Sequence, residues 1–200
     1  MAKTVPSGAG QSSREAFIRA TGELLRRQGY AATGLNEIVA RSGAPRGSLY
    51  FHFPGGKQEL AVLAMARAGE QLRVAIEATL GSSADLSEAL GRLLDALAAG
   101  LEASGYADGC PIATVALEVS AESEVMRDAA AVAFDSWLAA LRARLGAAGM
   151  DELTAERRAL LTLSAIEGAL ILARARRDTA PLEAVREELS ALLAESRNPA

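Results

Sequence analysis

Apolar residues recur every three to four positions along nearly the whole chain, in runs that Gly, Pro or Ser interrupt. This spacing places the apolar side chains on one face of a helix, whereas a half-buried strand would show alternation every second residue. Aromatic residues supply only 4% of the chain, while Ala, Leu, Glu and Arg are abundant, and that composition also favours helices. We therefore expect an all-α fold of about nine helices.

The N-terminal residues 1–11 are mostly small, with too few apolar side chains to pack, and we expect them to form a flexible arm. Ser12 followed by Glu15 has the spacing of a capping box, which predicts that the first helix starts there. Gly29 is expected to end this helix, because glycine tolerates the left-handed conformation found at helix ends.

Two short helices are predicted next. The first follows Thr33, which is expected to cap it, and ends at Gly43. The second covers 45–52 and opens with a proline, which is tolerated in a first helical turn. We expect Leu49 and Phe53 to point inward from it.

Later breaks predict six longer helices. A Pro-Gly-Gly break at 54–56 precedes a long helix from about 57 to 80. The remaining helices are expected at 85–104, 111–120, 122–145, 154–177 and 181–196. No apolar run reaches the roughly 20 residues that span a bilayer. The single Cys110 excludes an internal disulfide, and no secretory leader is evident, so we expect a cytoplasmic protein.

The charge is unevenly distributed between the two parts of the chain. Residues 1–60 carry eight basic and four acidic side chains, whereas 61–200 carry 13 basic and 21 acidic ones, within a net charge of −4. Such asymmetry indicates that the N-terminal part meets a polyanion. An unevenly solvated surface is the alternative explanation.

The segment from Leu35 to Phe53 fits a helix-turn-helix. Small residues at 42–44 allow the two short helices to approach closely, and the second helix could then enter a major groove. The pattern alone does not separate this motif from an ordinary helical hairpin that never touches DNA.

The residues themselves resemble a family. The stretch from Gly29 to Leu60 is similar to the N-terminal signature of TetR/AcrR-type repressors, and 109–118 is similar to the LmrA/YxaF-like subgroup. Two positions depart from the family pattern, because Pro45 stands where many members have a serine and Gly34 replaces a hydroxyl residue. The two stretches read GYAATGLNEIVARSGAPRGSLYFHFPGGKQEL and GCPIATVALE.

The resemblance implies a ligand-responsive, homodimeric repressor that binds double-stranded DNA at a palindromic operator and releases it on binding a small, mostly apolar effector. It implies a helix-turn-helix DNA-binding domain at 12–56 and a C-terminal ligand-binding and dimerisation domain at 57–200. A helical protein that sequesters ligands without binding DNA, and an activator in place of a repressor, remain alternatives.

Seven residues are predicted to contact DNA. Arg46 and Ser48 are expected to read bases, since arginine binds guanine with two hydrogen bonds and serine serves several bases. Gly47 would allow close approach of the backbone. Phosphate contacts are expected from Tyr50, Lys57, Thr33 and His52, although Thr33 could be only a cap, His52 could pack beneath the fourth helix, and Lys57 could be solvated. Arg46 could bind phosphate instead.

The effector is expected to bind among residues 57–177, against aromatic and sulfur-bearing side chains that suit an adaptable apolar pocket. Each could instead be simple core. The candidates are Tyr106, Cys110, Met126, Phe134 and Trp137. We expect neither a metal or other cofactor nor catalysis, because His52, the only histidine, has no ligand or nucleophile at a suitable spacing.

The last two helices, 154–177 and 181–196, are expected to form the dimer interface, since in resembling proteins they pair with their twins as a four-helix bundle. Each carries a wide apolar stripe, which could alternatively cover only the core of its own chain. The stripe residues are Leu160, Leu163, Ile166 and Leu170, then Leu182, Val185, Leu189, Leu192 and Leu193.

Overall fold

The computed structural model describes residues 7–119 and 121–195, with side chains for 12–119 and 121–193. These residues form nine α-helices and one 3₁₀ turn, without a strand, which confirms the all-α prediction. The helices are α1 (Ser7–Ala32), α2 (Leu35–Ser42), α3 (Leu49–His52), α4 (Gly56–Leu80), α5 (Leu86–Ala103), α6 (Pro111–Val119), α7 (Glu124–Ala147), α8 (Glu152–Arg176) and α9 (Ala180–Glu195).

The first helix starts earlier than predicted. α1 begins at Ser7, so Ser12 and Glu15 lie inside it and the capping-box prediction is wrong. Of the predicted arm 1–11, residues 7–11 are helical, and residues 1–6 lie outside the described part of the chain. The physical reason is that no residue after Pro6 forbids a helix, so the helix extends through small residues of modest propensity.

Gly29 interrupts α1, as predicted, although helical turns continue to Ala32. Its φ of 76° and ψ of −174° lie in a region that is essentially restricted to glycine. Thr33 does not cap α2, because the N-cap residue is Gly34 and no side chain caps it. The Thr33 hydroxyl is buried and donates to the Gly29 carbonyl at 2.6 Å, so it partners a carbonyl beside the kink instead.

The predicted helix at 45–52 is divided into two turns of different geometry. Pro45 precedes a 3₁₀ turn at Arg46–Ser48, and α3 continues from Leu49. Leu49 and Phe53 are buried, as predicted, and the Phe53 ring meets the Phe17 ring edge-on at 6.0 Å. Burial of these two side chains holds a segment that is too short to be a stable helix by itself.

The chain packs as two compact units. The first contains the described residues up to Ala68 together with Pro111–Ala133, and α1 packs against α6 within it. The second contains Gly69–Cys110 and the described residues from Phe134 onward. Packing therefore does not follow the sequence division between 12–56 and 57–200, and that functional boundary stays a prediction.

Polar anchors support the second unit. Asp85 caps α5 by accepting from the Ser87 and Glu88 amides at 2.8 and 3.2 Å. Arg144 of α7 donates to the Leu80 carbonyl at 2.9 Å. Trp137 is fully buried and its indole N–H donates to the Gly69 carbonyl at 2.8 Å. Among the described helices, none combines the length and apolarity that crossing a membrane requires.

Candidate functional site

The segment 46–52 exposes one side to solvent. Arg46, Gly47 and Tyr50 are exposed, with Tyr50 at 61%, and Ser48 and His52 are half-buried. Because Leu49 and Phe53 occupy the opposite side of the segment, the exposed residues stand on a fixed support. The order of elements expected of a helix-turn-helix is therefore present: α2, a turn at 43–45, and a short second segment with an exposed side.

Ser48 is partly committed within its own turn. Its hydroxyl donates to the Pro45 carbonyl at 2.7 Å, and its amide donates to the same carbonyl at 2.9 Å. The hydroxyl proton is thus used, while the oxygen lone pairs can still accept a hydrogen bond. Ser48 is therefore better suited to accept from a base than to donate to one.

Lys57, near the start of α4, is held against the end of α1. Its ammonium lies 4.2 Å from the centre of the Tyr30 ring and donates to the Ala31 carbonyl at 3.4 Å. Partial burial lowers the pKa of Lys57, and the charge of Glu118 opposes that shift. An ammonium has three N–H donors, and the bond to Ala31 uses one of them. The others can therefore bind a phosphate.

Sequence reasoning missed Glu118, the last residue of the motif quoted at 109–118. Its carboxylate accepts from the Ala31 amide at 2.7 Å and lies so close to Gly29 that a β-carbon there would overlap it. Glu118 thereby joins α6 to the kinked end of α1. The only charged side chain in the short, mostly apolar helix α6 was the available signal.

His52 lies among aromatic rings. Its ring meets Phe51 at 5.1 Å and Phe53 at 6.2 Å, both nearly edge-on. It therefore packs against its two neighbouring rings beside the exposed surface.

The predicted effector residues are divided between the two units. Tyr106, Cys110, Phe134 and Trp137 belong to the second unit, whereas Met126 is buried in the first. Phe134 and Trp137 pack edge-to-face at 5.4 Å, and the Arg177 guanidinium lies 5.8 Å from the Tyr106 ring. That all five line one pocket stays a prediction.

Glu167 of α8 is a second residue that sequence reasoning missed. Burial raises the pKa of this carboxyl, and a hydrogen bond with Cys110 partly offsets the rise. One of its carboxylate oxygens is buried without a hydrogen-bond partner. An acidic residue spaced four and three positions from the apolar Leu163 and Leu170 was the signal, because those three share one side of a helix.

The apolar stripes predicted for the dimer interface mostly face the core of their own chain. On α8, Leu163, Ile166 and Leu170 are buried and only Leu160 of the predicted set is exposed. On α9, Leu182, Leu189 and Leu193 are buried, while Val185 and Leu192 are half-buried. The prediction that these stripes face outward is therefore wrong, because most of their side chains are buried in the core of their own chain.

A different side of α8 is exposed and apolar. Five apolar side chains of α8 form it, and the other four lie seven, eight, 18 and 19 residues after Leu153, the first of them. This spacing places all five on one face of the helix, opposite the buried face. Each is more than half exposed, and they are Leu153, Leu160, Leu161, Ile171 and Leu172.

Two family models match the chain. Residues 17–64 match the model of bacterial regulatory proteins of the tetR family. Residues 87–188 match the C-terminal domain of LmrA/YxaF-like transcriptional regulators. The first match contains the exposed segment 46–52, and the second contains α6 and α8.

Relatives of known sequence agree with these matches. The HTH-type transcriptional regulator LmrA of Bacillus subtilis is 34% identical over 170 residues, which cover 85% of this chain and 90% of LmrA. The uncharacterized regulator YxaF of the same organism is 35% identical over 181 residues, covering 90% and 95%.

Solved structures show the same fold. A TetR transcriptional regulator from Chloroflexus aurantiacus superposes with a TM-score of 0.80 at 28% identity, covering 92% of this chain and 96% of that one. One from Legionella pneumophila gives a TM-score of 0.80 at 20% identity, covering 96% and 99%.

Proposed function

Since this chain belongs to the TetR family of DNA-binding transcriptional regulators, in its LmrA/YxaF-like group, we propose that it is a ligand-responsive repressor. It is a regulator and not an enzyme. As a homodimer it binds a palindromic operator in the cytoplasm, where bacterial DNA lies, and releases that operator when a small, mostly apolar effector binds.

The exposed segment 46–52 is the single observation that carries this proposal. Arg46 and Tyr50 extend from a turn whose other side is anchored in the core by Leu49 and Phe53. A helix-turn-helix protein inserts such a segment into the major groove, where a guanidinium can bind guanine and a phenol can bind phosphate. Gly47 leaves open space beside Arg46 for close approach.

The exposure of each side chain decides which of the predicted phosphate-binding residues we keep. Lys57 keeps free N–H capacity beside the exposed segment, and His52 is half-buried with access to its edge. Thr33 leaves the set, because its hydroxyl is buried and its amide donates to the Tyr30 carbonyl at 3.1 Å. Phosphate contacts position the protein on the duplex, so sequence preference is left to Arg46, Ser48 and their neighbours.

The homodimer forms through α8 and α9, with the exposed face of α8 at its centre. Five leucine and isoleucine side chains, each more than half exposed, form an apolar face on one helix, and large exposed apolar patches mark protein–protein interfaces. Gly168, on the same side of the helix, lets a partner backbone approach closely. A twofold homodimer supplies two copies of the exposed segment 46–52, called the reading segment below, one for each half-site of a duplex.

The effector site belongs to the second unit, where Trp137, Phe134, Tyr106 and Cys110 supply aromatic and soft side chains. Trp137 and Phe134 form an edge-to-face pair that an apolar or aromatic ligand could extend. Met126, near the start of α7, belongs to the first unit and is left out of the proposed site.

Selection of binding sites from a random duplex library by the purified full-length chain tests the proposal. We expect enrichment of a palindrome, and a 2:1 complex of chain and duplex by analytical ultracentrifugation. A library of apolar small molecules should then contain compounds that both raise the melting temperature and release the selected duplex. A monomer that enriches no sequence at low salt would contradict the proposal.

A further inference from the structure

Phe51 is the most exposed of the large apolar side chains that the structure describes, at 81%. Burying a phenylalanine stabilises a protein by about 1.5–3 kcal/mol relative to leaving it in water. Phe51 contributes almost none of this to the fold, so its ring is available for a contact outside the chain.

The position of Phe51 in α3 centres it on the exposed side of the reading segment. It is two residues from Leu49 and two from Phe53, and successive helical residues are about 100° apart. Its side chain therefore points away from both buried anchors. Gly47, about one turn earlier, has no neighbouring atom within 4 Å of where a β-carbon would stand, so no side chain covers that approach.

A row of rings leads from the buried core to Phe51. Phe17 meets Phe53 at 6.0 Å, Phe53 meets His52 at 6.2 Å, and His52 meets Phe51 at 5.1 Å, each nearly edge-on. The row runs from the buried core to the surface. The outermost ring, Phe51, therefore rests against His52 while most of its surface stays exposed.

We propose that Phe51 reads thymine by contacting its 5-methyl group in the major groove. The inference depends on the proposed DNA-binding function and deepens it. A phenyl ring has no hydrogen-bond donor or acceptor, so it gains little from phosphates or from the polar edges of bases. Thymine alone presents an apolar methyl group in that groove. Arg46 and Tyr50, which precede it in the same segment, supply the polar contacts.

Replacing single thymines by uracil in the selected operator tests this assignment, because uracil lacks only the methyl group. At one thymine in each half-site, we expect uracil to weaken binding by the wild-type chain about fourfold per half-site, the effect of losing one apolar carbon contact. The F51A variant should bind the thymine and uracil duplexes equally. The F51L variant should retain part of the difference, and Y50F should weaken both duplexes alike.

The outcomes separate this assignment from the proposed function. If the wild-type chain selects an operator but uracil costs nothing at any position, the Phe51 assignment is overturned and the repressor remains. If F51A keeps the uracil penalty, or loses affinity equally for both duplexes as an intercalating wedge would, the assignment is also overturned. If the wild-type chain selects no duplex, both fail. Equal melting temperatures of F51A and wild type exclude unfolding as the cause.

Discussion

The side chain of Arg46 stands at the start of the reading segment, on the 3₁₀ turn that follows Pro45. The turn fixes its backbone while leaving the guanidinium exposed. A planar group with two parallel donors discriminates guanine from other bases by about 1–3 kcal/mol.

We therefore expect Arg46→Ala to relax base preference at one position per half-site while other positions keep theirs. Binding-site selection with both proteins measures this directly. Arg142→Ala, an exposed arginine of α7 in the other unit, is the matched control and should leave the selected sequence unchanged. Unaltered preference in the Arg46 variant would show that this arginine does not read a base.

Gly29 and Gly22 lie in the same helix but differ in conformation and surroundings. A β-carbon at Gly29 would overlap Glu118 and force a residue into a glycine-only region, whereas Gly22 has nothing within 4 Å. Gly29→Ala should lower the free energy of unfolding by at least about 1–3 kcal/mol. Gly22→Ala should raise it by about 0.5–1 kcal/mol.

Urea denaturation of the two variants measures these opposite changes. Combining Gly29→Ala with Glu118→Ala should recover the steric part of the loss and leave the backbone part. Equal stability of the two glycine variants would mean that the kink at Gly29 is not required.

At the scale of elements, the start of α4 links the reading segment to the end of α1. The Tyr30 ring and the Ala31 carbonyl contact Lys57 there, and we propose that its charge binds phosphate. Lys57→Gln should weaken binding to all duplexes alike and reduce the slope of log affinity against log salt by about 1.

Fluorescence anisotropy across a salt series checks this expectation, with the melting temperature as a check on folding. Arg92→Gln in α5 of the second unit is the control and should keep the wild-type slope. If the Lys57 variant keeps the wild-type slope, Lys57 does not bind phosphate and is an ordinary solvated charge.

Helix α8 is apolar on two sides, and each side has a different partner in the proposed dimer. Leu172→Glu on the exposed side should leave the single chain folded but prevent pairing, because a carboxylate would be buried without a counter-charge. Sedimentation should then show a monomer that binds its operator poorly. Val74→Glu, a half-exposed apolar residue of α4, is the matched control and should remain dimeric.

At the scale of the whole molecule, the buried Glu167 carboxyl makes stability depend on pH. Burial raises its pKa above the ordinary value of 4.5, so the native chain holds this proton more tightly than the unfolded chain does. Between the ordinary and the raised pKa, the unfolded state binds fewer protons, and stability therefore falls as pH rises through that window.

Glu167→Gln removes this ionisation. Its melting temperature relative to wild type should increase as pH rises from about 4.5 and level off above the raised pKa. Glu156→Gln, an exposed residue of the same helix, should track the wild type at every pH. Parallel curves for the Glu167 variant would contradict the assigned burial effect.

Local patterns identified much of this fold in advance. Helix breaks at Gly29 and Gly43, and the inward-facing Leu49 and Phe53, follow from backbone freedom and periodicity within a few residues. The motif around 46–52 was likewise visible, since a short exposed turn needs only local anchors. The α1 start was missed because helix propensity sets no sharp boundary among small residues.

The sequence by itself determined the helical class, the helix breaks at Gly29 and Gly43, and which side of the reading segment is exposed. Each of these depends on residues within one or two turns. Only the tertiary structure decided which side of α8 the chain's own core occupies, that Thr33 turns inward, and that Glu118 meets the end of α1. These contacts join residues that are distant along the chain or compete for the same partner. The physical reason is that an apolar stripe or a polar side chain fits several partners equally well until packing selects one.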